Sequence, residues 1–177
     1  MTSETARRRF AQHVLPCLDD AYSLARWLTG DATDAEDVVQ EACLRALKAL
    51  DGAAVENPRA WLLAIIRNTA FTWLGKNRPH ALVLSGGEEE ARAQQIDPQE
   101  LLSPTPEEAL IAKADRQSFV AAIEALPLVF KETLIMREIN GLSYREIAEA
   151  TGAPIGTVMS RLARARALLF AALGQRS

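Results

Sequence analysis

Between residues 79 and 104 the sequence loses the helical periodicity it keeps on both sides, and no other feature constrains the fold as strongly. Pro79, Ser85-Gly86-Gly87, Glu88-Glu89-Glu90, Asp97-Pro98 and Ser103-Pro104 follow one another as turn and helix-breaking residues. One helical bundle cannot run through such a stretch. Two small domains, residues 1–78 and 105–177, are therefore expected, joined by a flexible linker at 79–104. Between 79 and 108 there is one arginine against seven Asp or Glu, so the joint is acidic, avoids nucleic acid and lets the two blocks move independently. Glu88 to Gln95 leaves room for a short helix within it.

Strand signals are nearly absent, because no segment combines a β-branched run with period-two alternation. Helix starts are written clearly, which predicts an all-α protein. Thr33-Asp34-Ala35-Glu36 fits a capping box, opening a helix over about 34–50. Asn57-Pro58 opens another, continuing from Trp61 to Lys76, with proline in the first turn where its missing N–H costs least. In the second block Thr105-Pro106-Glu107-Glu108 repeats the cap, and Leu126-Pro127 and Asn140-Gly141 mark breaks. Ser143-Tyr144-Arg145-Glu146 is one more capping box, and after a break at Thr151-Gly152 a final helix runs to about Leu173. Four helices are expected there.

The net charge of −3 conceals an uneven distribution. The acidity is concentrated in the middle, whereas from Ala150 onward there are four arginines, Arg161, Arg164, Arg166 and Arg176, and no carboxylate side chain. That end is suited to phosphate. No apolar run approaches the roughly 20 residues that span a bilayer, so no membrane insertion and a cytoplasmic location are expected. Cys17 and Cys43 read as buried thiols. His13 and Cys17 share a helix face, but two ligands make no zinc site, so no metal or cofactor is expected. No enzyme is expected either. A Ser-His-Asp set and a phosphate-cradling glycine loop are both missing, and His13 and His80 are the only histidines.

Residues 142–169 read as a helix-turn-helix. Ala148 is small where two helices approach, Gly152 permits a left-handed turn, and Ile147, Val158 and Leu162 form the wedge between helices. On the last helix Val158, Leu162, Ala165 and Leu169 make an inward stripe. Thr157, Ser160, Arg161 and Arg164 lie at i, i+3, i+4 and i+7 on an outward stripe with no acid among them. Arginine reads guanine edges in the major groove, and Ser or Thr reads either kind of edge. Lys131 and Arg137 on the preceding helix are candidates for phosphate contacts.

The string LSYREIAEATGAPIGTVMSRLARAR resembles the promoter-binding helix-turn-helix of bacterial group IV sigma factors, the extracytoplasmic-function class. The resemblance implies contact with the upstream, minus-thirty-five element through Thr157, Ser160, Arg161 and Arg164. Met159 departs from the family, which often carries a lysine there.

A stand-alone regulator would have no use for the first block. DAEDVVQEACLRALK, Asp34 to Lys48, resembles the family's core-polymerase-binding helix, and the match continues upstream through Leu24, Leu28, Thr29, Gly30 and Asp31. On this helix Ala35, Val39, Ala42, Ala46 and Leu50 are expected to face inward and Asp37, Gln40, Glu41 and Arg45 outward. By resemblance Asp37, Gln40 and Glu41 contact the clamp coiled coil of the largest polymerase subunit, and the flap is a second polymerase contact. NPRAWLLAIIRNTAFTWLGKNR resembles the minus-ten recognition and melting segment. Melting requires unstacked bases to be captured while cations hold the backbone, which points to the loop at Val55 to Arg59 and to Asn57, Arg59, Arg67, Asn68, Lys76 and Arg78. Trp61, Phe71 and Trp73 are assigned mainly to packing. Thr72 stands where the family usually has aspartate. Taken together, the resemblance implies a factor that directs core RNA polymerase to promoters of a stress or envelope regulon and is held by a cognate anti-sigma factor. Two other classes compatible with parts of the pattern are a stand-alone helix-turn-helix regulator and a sigma mimic that binds an anti-sigma factor.

Overall fold

The computed structural model describes residues 3–52, 54–83 and 115–174. Most of the expected linker, the cap at Thr105-Pro106-Glu107-Glu108 and Arg176 lie outside the described residues. Every regular element among the described residues is helical, and they form two compact units whose main boundary falls between Pro79 and His80, with the short stretch Glu149–Gly152 grouped with the first.

The first unit starts with α1, Glu4–His13, capped by the Ser3 hydroxyl, which accepts from the Ala6 N–H at 3.1 Å. Ser3 also bonds Asp51, and the Arg9 guanidinium donates to the Leu50 carbonyl at 3.2 Å. A 3₁₀ turn, Leu15–Cys17, leads into α2, Leu18–Thr29, which ends at Gly30 in the left-handed conformation (φ 75°). The third helix, α3, covers Ala32–Ala49 and is capped by Asp31, whose carboxylate accepts from the Asp34 N–H at 3.0 Å. The capping box expected at Thr33 is thus not used. The left-handed turn at Gly30 leaves one extended residue, Asp31, before helical geometry resumes, so the cap falls two positions earlier.

The inward face of α3 is Ala35, Val38, Ala42, Ala46 and Leu50, each at most 1% exposed. Val39, expected in that stripe, is only half-buried, because it lies about 100° further round the helix than Val38. The three alanines let α2 and the next helix approach closely. That helix, α4, spans Pro58–Asn77; Asn57 caps it by accepting from the Ala60 N–H at 3.2 Å, and Pro58 occupies the first turn. Leu62, Leu63, Ile66, Ala70 and Leu74 of α4 are buried, each large one contributing about 1.5–3 kcal/mol. Trp61, Phe71 and Trp73 are half-buried, so packing covers only part of each ring. Arg78 breaks α4, and α5, Pro79–Val83, adds one more helical turn where the linker was expected to begin.

In the second unit, α6, Arg116–Glu124, is capped by Asp115, which accepts from both the N–H and the hydroxyl of Ser118 at 2.9 Å. These bonds hold the Asp115 carboxyl below the usual carboxylate range. After Pro127, α7, Leu128–Leu134, runs into a π-wound turn, Ile135–Ile139, closed by the Asn140 N–H on the Ile135 carbonyl at 2.9 Å. Gly141 (φ 67°) turns the chain. The predicted capping box opens α8, Tyr144–Thr151: Glu146 N–H donates to Ser143 Oγ at 3.1 Å, and Ser143 N–H donates to Glu146 Oε2 at 2.7 Å. Gly152 (φ 73°) makes the next turn, and α9 spans Ile155–Gly174. Phe130, Ile135, Met136, Leu142, Ile147, Val158 and Leu162 form the core.

Candidate DNA and polymerase interfaces

The helices α8 and α9 and the glycine turn between them make a helix-turn-helix. Ile147, Val158 and Leu162, expected in its wedge, are at most 2% exposed, and Ala165 and Leu169 continue the inward stripe. Thr157, Ser160, Arg161 and Arg164 lie away from that stripe and are partly exposed. The Ser160 hydroxyl donates to the Gly156 carbonyl at 2.8 Å. Held in this way, it offers an incoming base its acceptor lone pairs.

The two cations of α7 and its π turn are less available than expected. Arg137 donates to the Leu142 carbonyl at 3.0 Å and stacks over Tyr144, 4.5 Å from the ring centroid, which turns it inward to fasten the start of the helix-turn-helix. Lys131 is half-buried, and desolvation lowers its pKa, with Glu124 acting weakly in the opposite sense. The folded unit therefore disfavours the ammonium. The unfolded chain binds more protons in the interval just below the ordinary lysine range, and stability at this site rises with pH through that interval. Lys131→Met should abolish this part of the pH dependence, as thermal melts on the alkaline side will show. If Lys131 also holds a phosphate, the same substitution should reduce the salt slope of DNA binding by about one.

In the first unit, Asp37, Gln40, Glu41 and Arg45 all face solvent on α3, and Arg45 Nε pairs with Glu41 Oε1 at 3.1 Å. Leu44, passed over in the sequence, lies on the same face and is 55% exposed. Its signal was legible as a large apolar residue outside the inward stripe.

The residues proposed for promoter melting do not form one cluster of outward cations. Arg59 Nε is bound to Asp20 Oδ2 at 2.8 Å. Arg78 donates to the Thr29 carbonyl at 2.6 Å and to Asp34 Oδ2 at 3.0 Å, and lies 5.4 Å from the Trp73 ring centroid. Arg67 lies 3.9 Å over Phe71 and donates to Asn68 at 3.3 Å. Asn57, Asn68 and Lys76 are exposed. Cys17 and Cys43 are half-buried free thiols whose pKa is pushed up by burial, with the Asp20 carboxylate adding to the effect at Cys17. Neither is activated as a nucleophile. No helix among the described residues is long and apolar enough to cross a membrane.

A helix-turn-helix with a basic outward stripe, carried with a separate helical unit that has an acidic outward face, defines a DNA-binding protein with a second macromolecular surface. Comparisons with known proteins make this specific. The family described as Sigma-70 region 2 matches residues 13–79, and Sigma-70, region 4 matches residues 116–169. The ECF RNA polymerase sigma-E factor of Escherichia coli K12 is 35% identical over 141 residues, which cover 75% of this chain and 70% of that protein. Its counterpart in Haemophilus influenzae is 32% identical over 140 residues, covering 77% and 72%. The solved sigma factor RpoE of Bartonella quintana, in complex with the anti-sigma factor NepR, superposes with a TM-score of 0.69 at 26% identity, covering 94% of this chain and 98% of that one.

The chain belongs to the ECF RNA polymerase sigma factors. It binds core RNA polymerase and promoter DNA and directs transcription initiation. Proteins of this family are initiation factors.

Proposed function

We propose that the two units divide the work of initiation. Residues 1–78 bind core polymerase and open the minus-ten region, 79–104 span the gap, and 105–177 hold the minus-thirty-five element. The observation that carries the first assignment is the outward face of α3, where Gln40 and Glu41 one turn before the half-exposed Leu44, and Asp37 two turns before it, share its exposed side. An exposed apolar residue with carboxylates on its N-terminal side and Arg45 and Lys48 on its C-terminal side fits a charged helical partner such as the polymerase clamp coiled coil. Leu44→Ser should weaken core binding about tenfold while leaving the isolated chain folded, since Leu44 contributes little to the core; unchanged affinity would remove Leu44 from the interface.

In the minus-ten role, the exposed Asn57, Asn68 and Lys76 reach DNA, the two asparagines through their amide N–H groups while their carbonyl oxygens accept from Ala60 and Arg67. Arg59 and Arg78 hold the helices that present them, and Arg67 lies against Phe71 at the edge of the same surface. In the minus-thirty-five role, Thr157, Ser160, Arg161 and Arg164 supply base and phosphate contacts, with Lys131 a weaker contributor. The protein works in the cytoplasm, where polymerase and DNA are, on a stress or envelope regulon. The complex of the Bartonella relative with NepR supports a cognate anti-sigma factor here, and recovery of such a partner on purification from native cells tests it.

The deciding experiment is transcription by bacterial core polymerase with and without this protein on a genomic promoter library, with the transcript starts sequenced. Protein-dependent starts that share two spaced upstream motifs are the expected result. Starts that share only one motif would overturn the division between units.

A further inference from the structure

The recognition stripe of α9 has a margin that hydrogen-bonding residues leave unexplained. Ile155 is the first residue of α9 and is 45% exposed. Met159 is only half-buried, and residues four apart are neighbours on a helix surface. At about 100° per residue, Met159 and Arg161 flank Ser160 on opposite sides. Thr157 and Arg161 therefore lie about 60° and 100° to one side of Ser160, and Met159 and Ile155 about 100° and 140° to the other, so the apolar pair forms the rim between the outward stripe and the buried one. Further along the apolar margin, Arg166 donates to Glu138 at 2.7 Å, so its charge is offset within the unit. Gly156 adds no bulk beside Ile155, and a Cβ built there would meet nothing within 4 Å.

Single exposed apolar residues are ordinary on protein surfaces. Position distinguishes this one. The N-terminal residues of a recognition helix reach the base edges in the major groove, and there only thymine presents a methyl group. We propose that Ile155 and Met159 form an apolar ledge that reads thymine 5-methyl groups in the upstream promoter element. This rests on the reading of α9 as the helix that enters that element. Such a ledge selects T·A pairs by van der Waals contact and water exclusion, and it adds nothing to the salt dependence of binding.

Reconstituted holoenzyme and duplexes carrying the upstream motif from the mapped starts test the ledge, with each thymine replaced singly by deoxyuridine to remove only the methyl group. At one or more positions uracil should weaken binding of the wild-type holoenzyme about threefold to fivefold, the effect of exposing one buried methyl. Ile155→Ala or Met159→Ala should erase that penalty, and Arg161→Ala should keep it while weakening binding to every duplex. A motif without thymine, the absence of any uracil penalty, or a penalty unchanged in both variants would overturn the ledge even if Arg161→Ala weakens binding. If Arg161→Ala has no effect, the reading of α9 fails first and the ledge with it. Ile155 is exposed, so its truncation leaves the core intact.

Discussion

Replacing Arg161 with alanine should lower the affinity of the holoenzyme for its upstream element by about 5- to 150-fold, the range that corresponds to one bidentate arginine–guanine contact. The expectation follows from the position of Arg161, on the outward side of a helix whose opposite side is closed by Val158, Leu162, Ala165 and Leu169. No carboxylate follows in the sequence from Ala150 onward, so this face repels no phosphate. Core polymerase binding should not change, because α3 belongs to the other unit. Electrophoretic mobility or anisotropy titrations at two salt concentrations separate the possible roles. Loss at one base position only identifies base reading, whereas a uniform loss with a shallower salt slope identifies a phosphate contact.

Asp37→Ala should have the opposite profile, weakening core polymerase association about 30-fold or more and leaving duplex binding by the second unit intact. Truncating one member of a desolvated interfacial charge pair typically costs about 2–5 kcal/mol, because its partner is left buried and unpaired. Asp37 is the acid to test first, since Glu41 already shares its charge with Arg45 at 3.1 Å and has that bond to exchange. Arg45→Ala should accordingly have a smaller effect than Asp37→Ala. Pull-down of core polymerase against a dilution series of each variant measures both, and loss of promoter binding with core association preserved in Asp37→Ala would reverse the assignment of the two units.

Features set by local chemistry were legible in the sequence. The boxes and caps at Ser143 and Asn57, the break at Pro127 and the glycines at 141 and 152 act within a few residues of themselves, and the inward stripe of α9 follows from helical periodicity alone. Features decided by distant neighbours were not. The one-residue shift from the expected Val39 to the observed Val38 follows from where the helix packs, which periodicity fixes only loosely. The arginines expected to serve DNA illustrate the same limit. Arg59 and Arg78 find acidic partners 39 and 44 residues away, and nothing in the local pattern distinguishes a bound guanidinium from a free one. With the arginines about 40% and the aspartates 25–32% exposed, such pairs are worth little as stability, so their importance lies in geometry.

That geometry has a consequence for where RNA begins. Arg78 leaves the end of α4 and grips both the last carbonyl of α2 and the first turn of α3. The helix assigned to the opened strand and the helix assigned to polymerase are thereby registered to each other by a bond internal to the protein. In the roles proposed for α3 and α4 the unit would act as a ruler, with polymerase at one helix and the captured strand at the other, and the spacing between them would be set by the fold before either partner arrives.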